Sequence, residues 1–278
     1  MSKLVLDGEL IEGDAVSQPL LSRGFAFGFG VFETVKFLDR APCFFDEHLE
    51  RLRRGLEEAR LACPLDGRSL RRQAEALFAA EGVDDGVFKM VVSDAGERPR
   101  LAMFVRSRGW EPAPAPSRLV LSDVVKASRA FTSRNKSLNY MESVLELEKA
   151  KAAGFDECVF RNEREEVTEC AVANLFFMQS GILRTPGLDC GLLDGIVRGK
   201  VMALAREQGL TVEEGAFREA DLLAASEVFL TSSGGGPRPA ASFRARSGHS
   251  VTYAVEALPP LREAYLKWER EEALSHVD

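Results

Sequence analysis

VTECAVANLFF, Val167 to Phe177, holds one residue at odds with its surroundings, Glu169. Downstream of it the side chains are small or apolar and run into Leu175, Phe176, Phe177 and Met178, which read as a buried strand. A carboxylate beside such a run is costly to desolvate unless something cationic meets it. Upstream, RNEREE (Arg161 to Glu166) is a polar turn, so Glu157 to Phe160 and the quoted stretch make a hairpin. What Glu169 faces decides what the chain is built for. On this stretch alone the ordinary account is a surface carboxylate or a structural ion pair.

The whole chain narrows the choice. Its 278 residues, 45% hydrophobic and 28% charged, suit a soluble globular protein of two domains or one large one. A net charge of -7, with basic residues scattered in RLRR (Arg51 to Arg54) and FRARS around Arg244, argues against nucleic acid as the main partner. Five cysteines (Cys43, Cys63, Cys158, Cys170, Cys190) without CxxC spacing read as free thiols in a reducing compartment, and no metal site is expected. The N-terminal MSKLVLDGELIEG has no apolar signal-peptide core, and no apolar run approaches the ~18 residues of a membrane span. The expectation is a cytoplasmic protein that does not engage a membrane.

Helix and strand signals alternate along the chain. Lys3 to Leu6 and Glu9 to Glu12 form a hairpin turning at Asp7-Gly8. In SRGFAFGFGVFETVKF, Ser22 to Phe37, glycines interrupt aromatic residues before a strand, Val31 to Phe37, that turns at Asp39-Arg40. Asp46 suits the N-cap of a helix over Glu47 to Leu61, and a second helix runs over Ser69 to Ala80. GWEPAPAPS, with alternating Pro112, Pro114 and Pro116, excludes helix and central strand and reads as a linker. The domains expected are residues 1–111, a linker at 112–117, and a larger unit over 118–278. Beyond the linker come a polar loop, SRAFTSRNKS, and a helix over Leu138 to Ala153. Another helix starts at Asp194 or Gly195, and an amphipathic one runs over Pro259 to Leu274.

Three further features bear on chemistry. Lys136 lies in the polar loop, where a lysine is ordinarily just solvated. DGIVRGK, Asp194 to Lys200, places Gly195, Ile196 and Val197 at a helix N-terminus whose free N–H groups suit a phosphate, although helix starts after glycine are common. TSSGGG, Thr231 to Gly236, puts hydroxyls and glycines at a strand end, which suits an anion or a flexible loop equally. Neither stretch is a P-loop, and the Gly28–Gly30 pair lacks the helix of a dinucleotide fingerprint. Taken together, two phosphate-binding loops, a lysine and a half-buried carboxylate are what pyridoxal 5'-phosphate needs. The lysine bonds its aldehyde, and the carboxylate keeps its pyridine nitrogen protonated.

On RGFAFGFGVFETVKF, DEHLERL, KSLNY, GFDECVFRNEREEVTECAVANLFF, GLLDGIVRGKV and EVFLTSSGGGPRP, in that order, the chain resembles the fold type IV pyridoxal-phosphate enzymes (aminotransferase class IV). Branched-chain aminotransferases, D-amino acid transaminases and 4-amino-4-deoxychorismate lyases belong to that family. The resemblance implies a two-domain α/β (α+β) architecture, with a small N-terminal α/β domain and a larger C-terminal pseudo-barrel domain. It implies that Lys136 is the Schiff-base lysine and proton shuttle, and that Glu169, 33 residues later, pairs with the pyridine nitrogen. It further implies that Arg51, the N–H groups of Ile196 and Val197, and Ser232 or Ser233 hold the phosphate. Tyr140 would lie beside the ring. A homodimer acting on a small amino carboxylate is implied as well.

The chain departs from the family in two places. Phe29 stands where an acidic residue is usual between the glycines, and Gly234, Gly235 and Gly236 replace bulkier residues in the turn that meets the substrate. GERPRLAMF carries Arg98 and Arg100 but not the arginine–histidine pair of D-amino acid transaminases, and ETVK replaces the EGIR-like motif of branched-chain enzymes. Glu33-Thr34 and the Val167–Phe177 block look most like aminodeoxychorismate lyases, with Thr34 near the pyruvyl part of the substrate, although a β-branched residue in a strand needs no such role. The expected reaction is pyruvate elimination giving 4-aminobenzoate for folate synthesis. Amino-group transfer between an amino acid and a 2-oxo acid is the alternative.

Overall fold

The computed structural model describes residues 2–13, 16, 19–109 and 115–275. Most of the stretch read as a linker falls at 110–114, outside the described residues. The chain divides into two compact units. The first is Met1–Glu111 with Asn135–Asn139 and Trp268–Asp278; the second is Pro112–Arg134 with Tyr140–Lys267.

The first unit is one six-stranded sheet with helices. Its strands are β1 (Lys3–Leu6), β2 (Glu9–Glu12), β3 (Gly30–Leu38), β4 (Ala41–Pro42), β5 (Gly86–Asp94) and β6 (Pro99–Arg108), in the order β2-β1-β6-β5-β3-β4. The β1–β2 hairpin closes as its Asp7-Gly8 turn dictates, both residues taking positive φ. Asp39 and Arg40 do the same between β3 and β4. α1 (Arg23–Phe27) occupies part of the glycine-interrupted aromatic run that reads as irregular in sequence. Ser22 caps it by accepting the Phe25 N–H, and Gly28 ends it in the left-handed conformation.

α2 (Phe45–Glu58) starts two residues before the sequence suggests. Asp46 lies inside its first turn instead of capping it. The cap position is Phe44, at φ 49°, whose N–H donates to Glu272 Oε2 at 2.6 Å. α3 (Gly67–Glu81) is capped by Asp66. Phe37 stacks on Phe78 with ring centroids 3.8 Å apart, and Phe88 meets both edge-on, so the apolar side of β3 and β5 seats α3. On the opposite face of β3, Lys36 pairs with Glu269 at 2.5 Å, both fully buried.

The second unit carries β7 (Ser117–Lys126), α4 (Phe131–Arg134), α5 (Met141–Ala152), β8 (Glu157–Asn162), β9 (Val167–Cys170), β10 (Asn174–Gln179) and β11 (Ile182–Pro186). α6 (Ile196–Glu207), β12 (Val212–Gly215), α7 (Glu219–Leu223), β13 (Glu227–Ser232), β14 (Gly236–Arg244), β15 (Ser250–Thr252) and the start of α8 (Leu258–Leu274) follow, the residues of α8 from Trp268 onward belonging to the first unit. Strand order is β12-β11-β10-β13-β14-β7-β8-β9, with β15 on β14. The stretch expected as a polar loop contains one helical turn, α4, and α5 begins three residues later than its periodicity suggests. β8 and β9 pair antiparallel around the RNEREE turn, and β10 is buried along nearly its whole length, as continuous apolar runs require. Phe176 stacks on Phe229, and Phe177 meets Phe217 edge-on, each at 5.0 Å.

Candidate active site

The candidate residues fall into two groups, one in each unit. In the first unit, Lys136 sits on a short extended segment that adds itself to β3. Val31 and Ser137 form an antiparallel bridge, the Phe32 N–H donates to the Lys136 carbonyl at 2.8 Å, and the Leu138 N–H donates to Gly30 at 2.9 Å. Asn135 donates to Glu58 at 2.7 Å and Asn139 to the Gly28 carbonyl at 3.1 Å, so both ends of the segment are tied. The polar loop of the sequence is therefore a fixed backbone here. The Lys136 ammonium lies 4.6 Å from the Phe32 ring centroid and the side chain is half-buried.

Side chains alternate along β3, so Phe32 and Thr34 share a face, and Thr34 stands directly opposite Lys89 on β5. Lys89 also points its ammonium at Phe32, 4.4 Å from the centroid. Burial, followed by the charge of Arg106, lowers its pKa below the ordinary lysine value. Among the described residues no carboxylate pairs with Lys89. One aromatic ring thus collects two ammonium groups beside a half-buried threonine.

The other face of β3 carries Glu33, which is fully buried. Arg51 Nε and Nη2 grip its two carboxylate oxygens at 2.7 Å each, and His48 Nδ1 lies 2.8 Å from Oε2. Burial alone would raise the Glu33 carboxyl. The charge and hydrogen bonds of Arg51, helped by His48, hold it well below the usual carboxylate range. Burial lowers the His48 pKa, while Glu33 pulls it upward. Arg51, expected at a phosphate, is placed in this buried cluster by the fork it makes with Glu33. The pairing is not legible in sequence. The i,i+3 spacing of His48 and Arg51 on α2 puts them on one helical face, but their partner arrives from a distant strand.

In the second unit Glu169 is half-buried at the end of β9. Its Oε2 accepts the Leu193 N–H at 3.1 Å and Asn174 Nδ2 at 3.4 Å, and the same Asn174 nitrogen donates to the Leu193 carbonyl at 2.9 Å. Gly195 is pressed against Asn174: a Cβ there would lie 1.9 Å from Asn174 Oδ1. Gly195 is also the N-cap of α6 and offers no side-chain acceptor, so the first-turn N–H groups of Ile196 and Val197 are left to other partners. One asparagine therefore joins the carboxylate to the helix start. Ser232 ends β13 and pairs with Gly236, with Ser233 inside the turn; both serines are half-buried. Tyr140 donates its hydroxyl to the Ala171 carbonyl at 3.0 Å.

Each unit by itself supplies groups of a kind that a phosphorylated pyridine aldehyde uses. In the second unit, a helix start without a capping side chain and two turn hydroxyls suit a phosphate, and a carboxylate oriented by Leu193 and Asn174 suits a protonated ring nitrogen; in the first, a half-buried lysine suits an aldehyde. Asp7 engages both Arg100, at 3.0 Å, and Arg98, at 3.8 Å, so these two arginines serve the β1 hairpin.

Known proteins resemble this chain in sequence and in fold. The family model described as amino-transferase class IV matches residues 30–243. D-alanine aminotransferase of Listeria monocytogenes (serotype 4b, strain F2365) is 27% identical over 253 residues, which is 83% of each chain. Aminodeoxychorismate lyase of Bacillus subtilis (strain 168) is 26% identical over 234 residues, 80% of each. The crystal structure of the branched-chain aminotransferase from Thermoproteus uzoniensis superposes with a TM-score of 0.88 at 23% identity, covering 96% of this chain and 94% of that one. The fold of this chain is that mixed α/β fold.

Proposed function

The chain belongs to the class IV aminotransferases, a family of pyridoxal-phosphate enzymes, and from that premise we propose that it is an aminodeoxychorismate lyase, which eliminates pyruvate and leaves 4-aminobenzoate. The observation that supports this choice is the face of β3 and β5. Thr34 and Lys89 stand opposite each other beside the ring that also holds the Lys136 ammonium. Aminodeoxychorismate brings two carboxylates, one on its ring and one on the enolpyruvyl ether. A lysine without an anionic partner among the described residues is suited to one of them, and a hydroxyl at Thr34 to the ether side. Arg98 and Arg100 lie beside Asp7 and come without the histidine of the D-amino acid transaminase pair.

Pyridoxal phosphate, when bound, withdraws electrons from the carbon that carries the substrate amine. Each residue then has a task. Lys136 Nζ takes the proton from that carbon. The Glu169 carboxylate, oriented through Oε2, holds the proton on the pyridine nitrogen. The N–H groups of Ile196 and Val197 and the hydroxyls of Ser232 and Ser233 bind the phosphate, and Tyr140 flanks the ring, while Arg51 stays with Glu33. As the C–O bond to the enolpyruvyl group breaks, the departing enolpyruvate takes up a proton and becomes pyruvate, while the six-membered ring becomes aromatic.

Amino-group transfer is the second reading, and the D-alanine aminotransferase relative, as similar as the lyase, favours it. It asks the same task of Lys136. The purified protein incubated with aminodeoxychorismate should release 4-aminobenzoate with no amino acceptor present. Turnover of L- or D-amino acids with 2-oxoglutarate or pyruvate, and no 4-aminobenzoate, would replace the lyase with the transaminase.

A further inference from the structure

Building on the cofactor assignment above, we infer that the buried Glu157–Arg238 ion pair is a positioning pair. It holds the ring-nitrogen end of the cofactor cradle in register with its phosphate end. Glu157 opens β8 at 1% exposure. Its Oε1 accepts two backbone N–H groups, from Cys158 and Ala171, each at 3.1 Å. Its Oε2 receives Arg238 Nη2 at 3.3 Å.

Each oxygen serves a different end of the site. Ala171 lies two residues past Glu169, and its carbonyl accepts the Tyr140 hydroxyl. Fixing the Ala171 N–H therefore fixes the backbone behind both residues assigned to the ring. Arg238 lies two residues past Gly236, on β14, with Leu230 of β13 as its cross-strand partner. Fixing its guanidinium fixes the arms of the turn that presents Ser232 and Ser233. The carboxylate is the shared point between two segments that otherwise belong to different strand pairs.

Two further facts favour positioning over stability. Burial is the first influence on the Glu157 carboxyl and raises its pKa, with Arg238 and then the backbone N–H groups pulling it back. A buried pair of this kind gains little net stability over apolar residues of similar size. Arg238 Nε is also buried and meets no hydrogen-bond partner among the described residues. A buried donor without a partner costs free energy, so the pair is not an optimised stabilising contact.

The test uses the full-length chain as Glu157→Gln, Arg238→Met, Arg238→Lys and the Glu157→Gln/Arg238→Met double variant. Affinities for pyridoxal 5'-phosphate and for phosphate-free pyridoxal are measured by absorbance titration. Visible circular dichroism of the bound cofactor and melting temperature are measured alongside. Glu157→Gln and Arg238→Met should each weaken pyridoxal 5'-phosphate about tenfold or more, weaken pyridoxal less, and change the visible dichroic band. The double variant should be no worse than either single one, and Arg238→Lys should recover part of the loss. A lower melting temperature with an unchanged affinity ratio and an unchanged dichroic band would make the pair purely structural. A wild-type chain that takes up no cofactor would defeat the cofactor assignment itself, and the pair with it, and would show this before any variant is made.

Discussion

The candidate groups in the two units are built from different materials. The first unit uses charged side chains. Lys136 and Lys89 stand over Phe32, and Glu33, Arg51 and His48 form a cluster closed to water. The second unit uses backbone. It has a helix start capped by glycine, a carboxylate held by a main-chain N–H and one asparagine, and a glycine turn. Charged side chains can be neutralised by pH or by an isosteric substitution. Backbone donors cannot be titrated, but they fail when a Cβ displaces them. The first group should therefore be chemically fragile and the second sterically fragile.

The largest effect is expected at Lys136. On the proposed roles, Lys136→Ala removes both the amine and the proton carrier, and turnover should fall roughly 10⁴-fold. The phosphate contacts proposed for the second unit are untouched, so the variant should still take up pyridoxal phosphate, without the borohydride-reducible absorbance of a covalent link. Retention of that absorbance would mean that another amine is used, and Lys89, beside the same ring, would be examined next. In the second unit the corresponding substitution is Glu169→Gln. It keeps the shape of a group held by Leu193 and Asn174 but loses its charge. Turnover should drop roughly 10²-fold, the scale of one lost electrostatic contact in a catalytic site, with cofactor binding kept. Unchanged turnover would return Glu169 to an ordinary structural carboxylate.

The parts legible in sequence are those decided locally. The Asp7-Gly8 hairpin, the linker prolines and the apolar run of β10 follow from adjacent residues, and the structure has the hairpin and the strand where expected. The α2 start was not legible, because its N-terminal N–H is satisfied by Glu272, more than two hundred residues away. The α1 helix was hidden because its glycines and aromatic residues mimic an irregular run, although Ser22 with its bond to Phe25 was a local capping signal. Lys136, Glu169 and the two loops were legible as candidates through the order of their motifs, and their proposed roles are what the variants test. Glu33, Lys89 and Glu157 were not, since their partners are set by strand register and by helix placement, which no window of sequence contains.

Steric fragility is tested at Gly195. Alanine places a Cβ 1.9 Å from Asn174 Oδ1, and the backbone of Asn174 lies in the sheet, so its side chain must leave. The displaced amide can no longer hold Glu169. Overpacking of this kind costs typically about 1–3 kcal/mol, and cofactor affinity should fall about tenfold or more, measured by absorbance titration. A crystal structure of Gly195→Ala should show Asn174 in a new rotamer. If Asn174 and the affinity are both unchanged, the helix start tolerates a side chain and the contrast between the units is lost.

Chemical fragility is tested by acid. The pKa of His48 is lowered in the folded protein, with burial as the main cause and Arg51 and Lys136 opposing its charge further. The unfolded chain therefore binds a proton at about pH 6.5 that the native protein refuses, and stability falls as pH drops below that value. Glu33 adds a second loss. Its folded pKa is also lowered, so the stability it contributes is complete above its unfolded value near about 4.3 and disappears below it. Both groups act in the same direction, in separate windows. Melting temperature followed from pH 7.5 down to about pH 2.5 should decline in two stages, the second beginning only below about pH 4.3, and His48→Gln should remove the first stage and keep the second. A flat profile between pH 7 and pH 5.5 would show that the native cluster accepts the proton on His48. The Glu33 carboxylate would then face two cations, and the first unit would be better protected against acid than its burial implies.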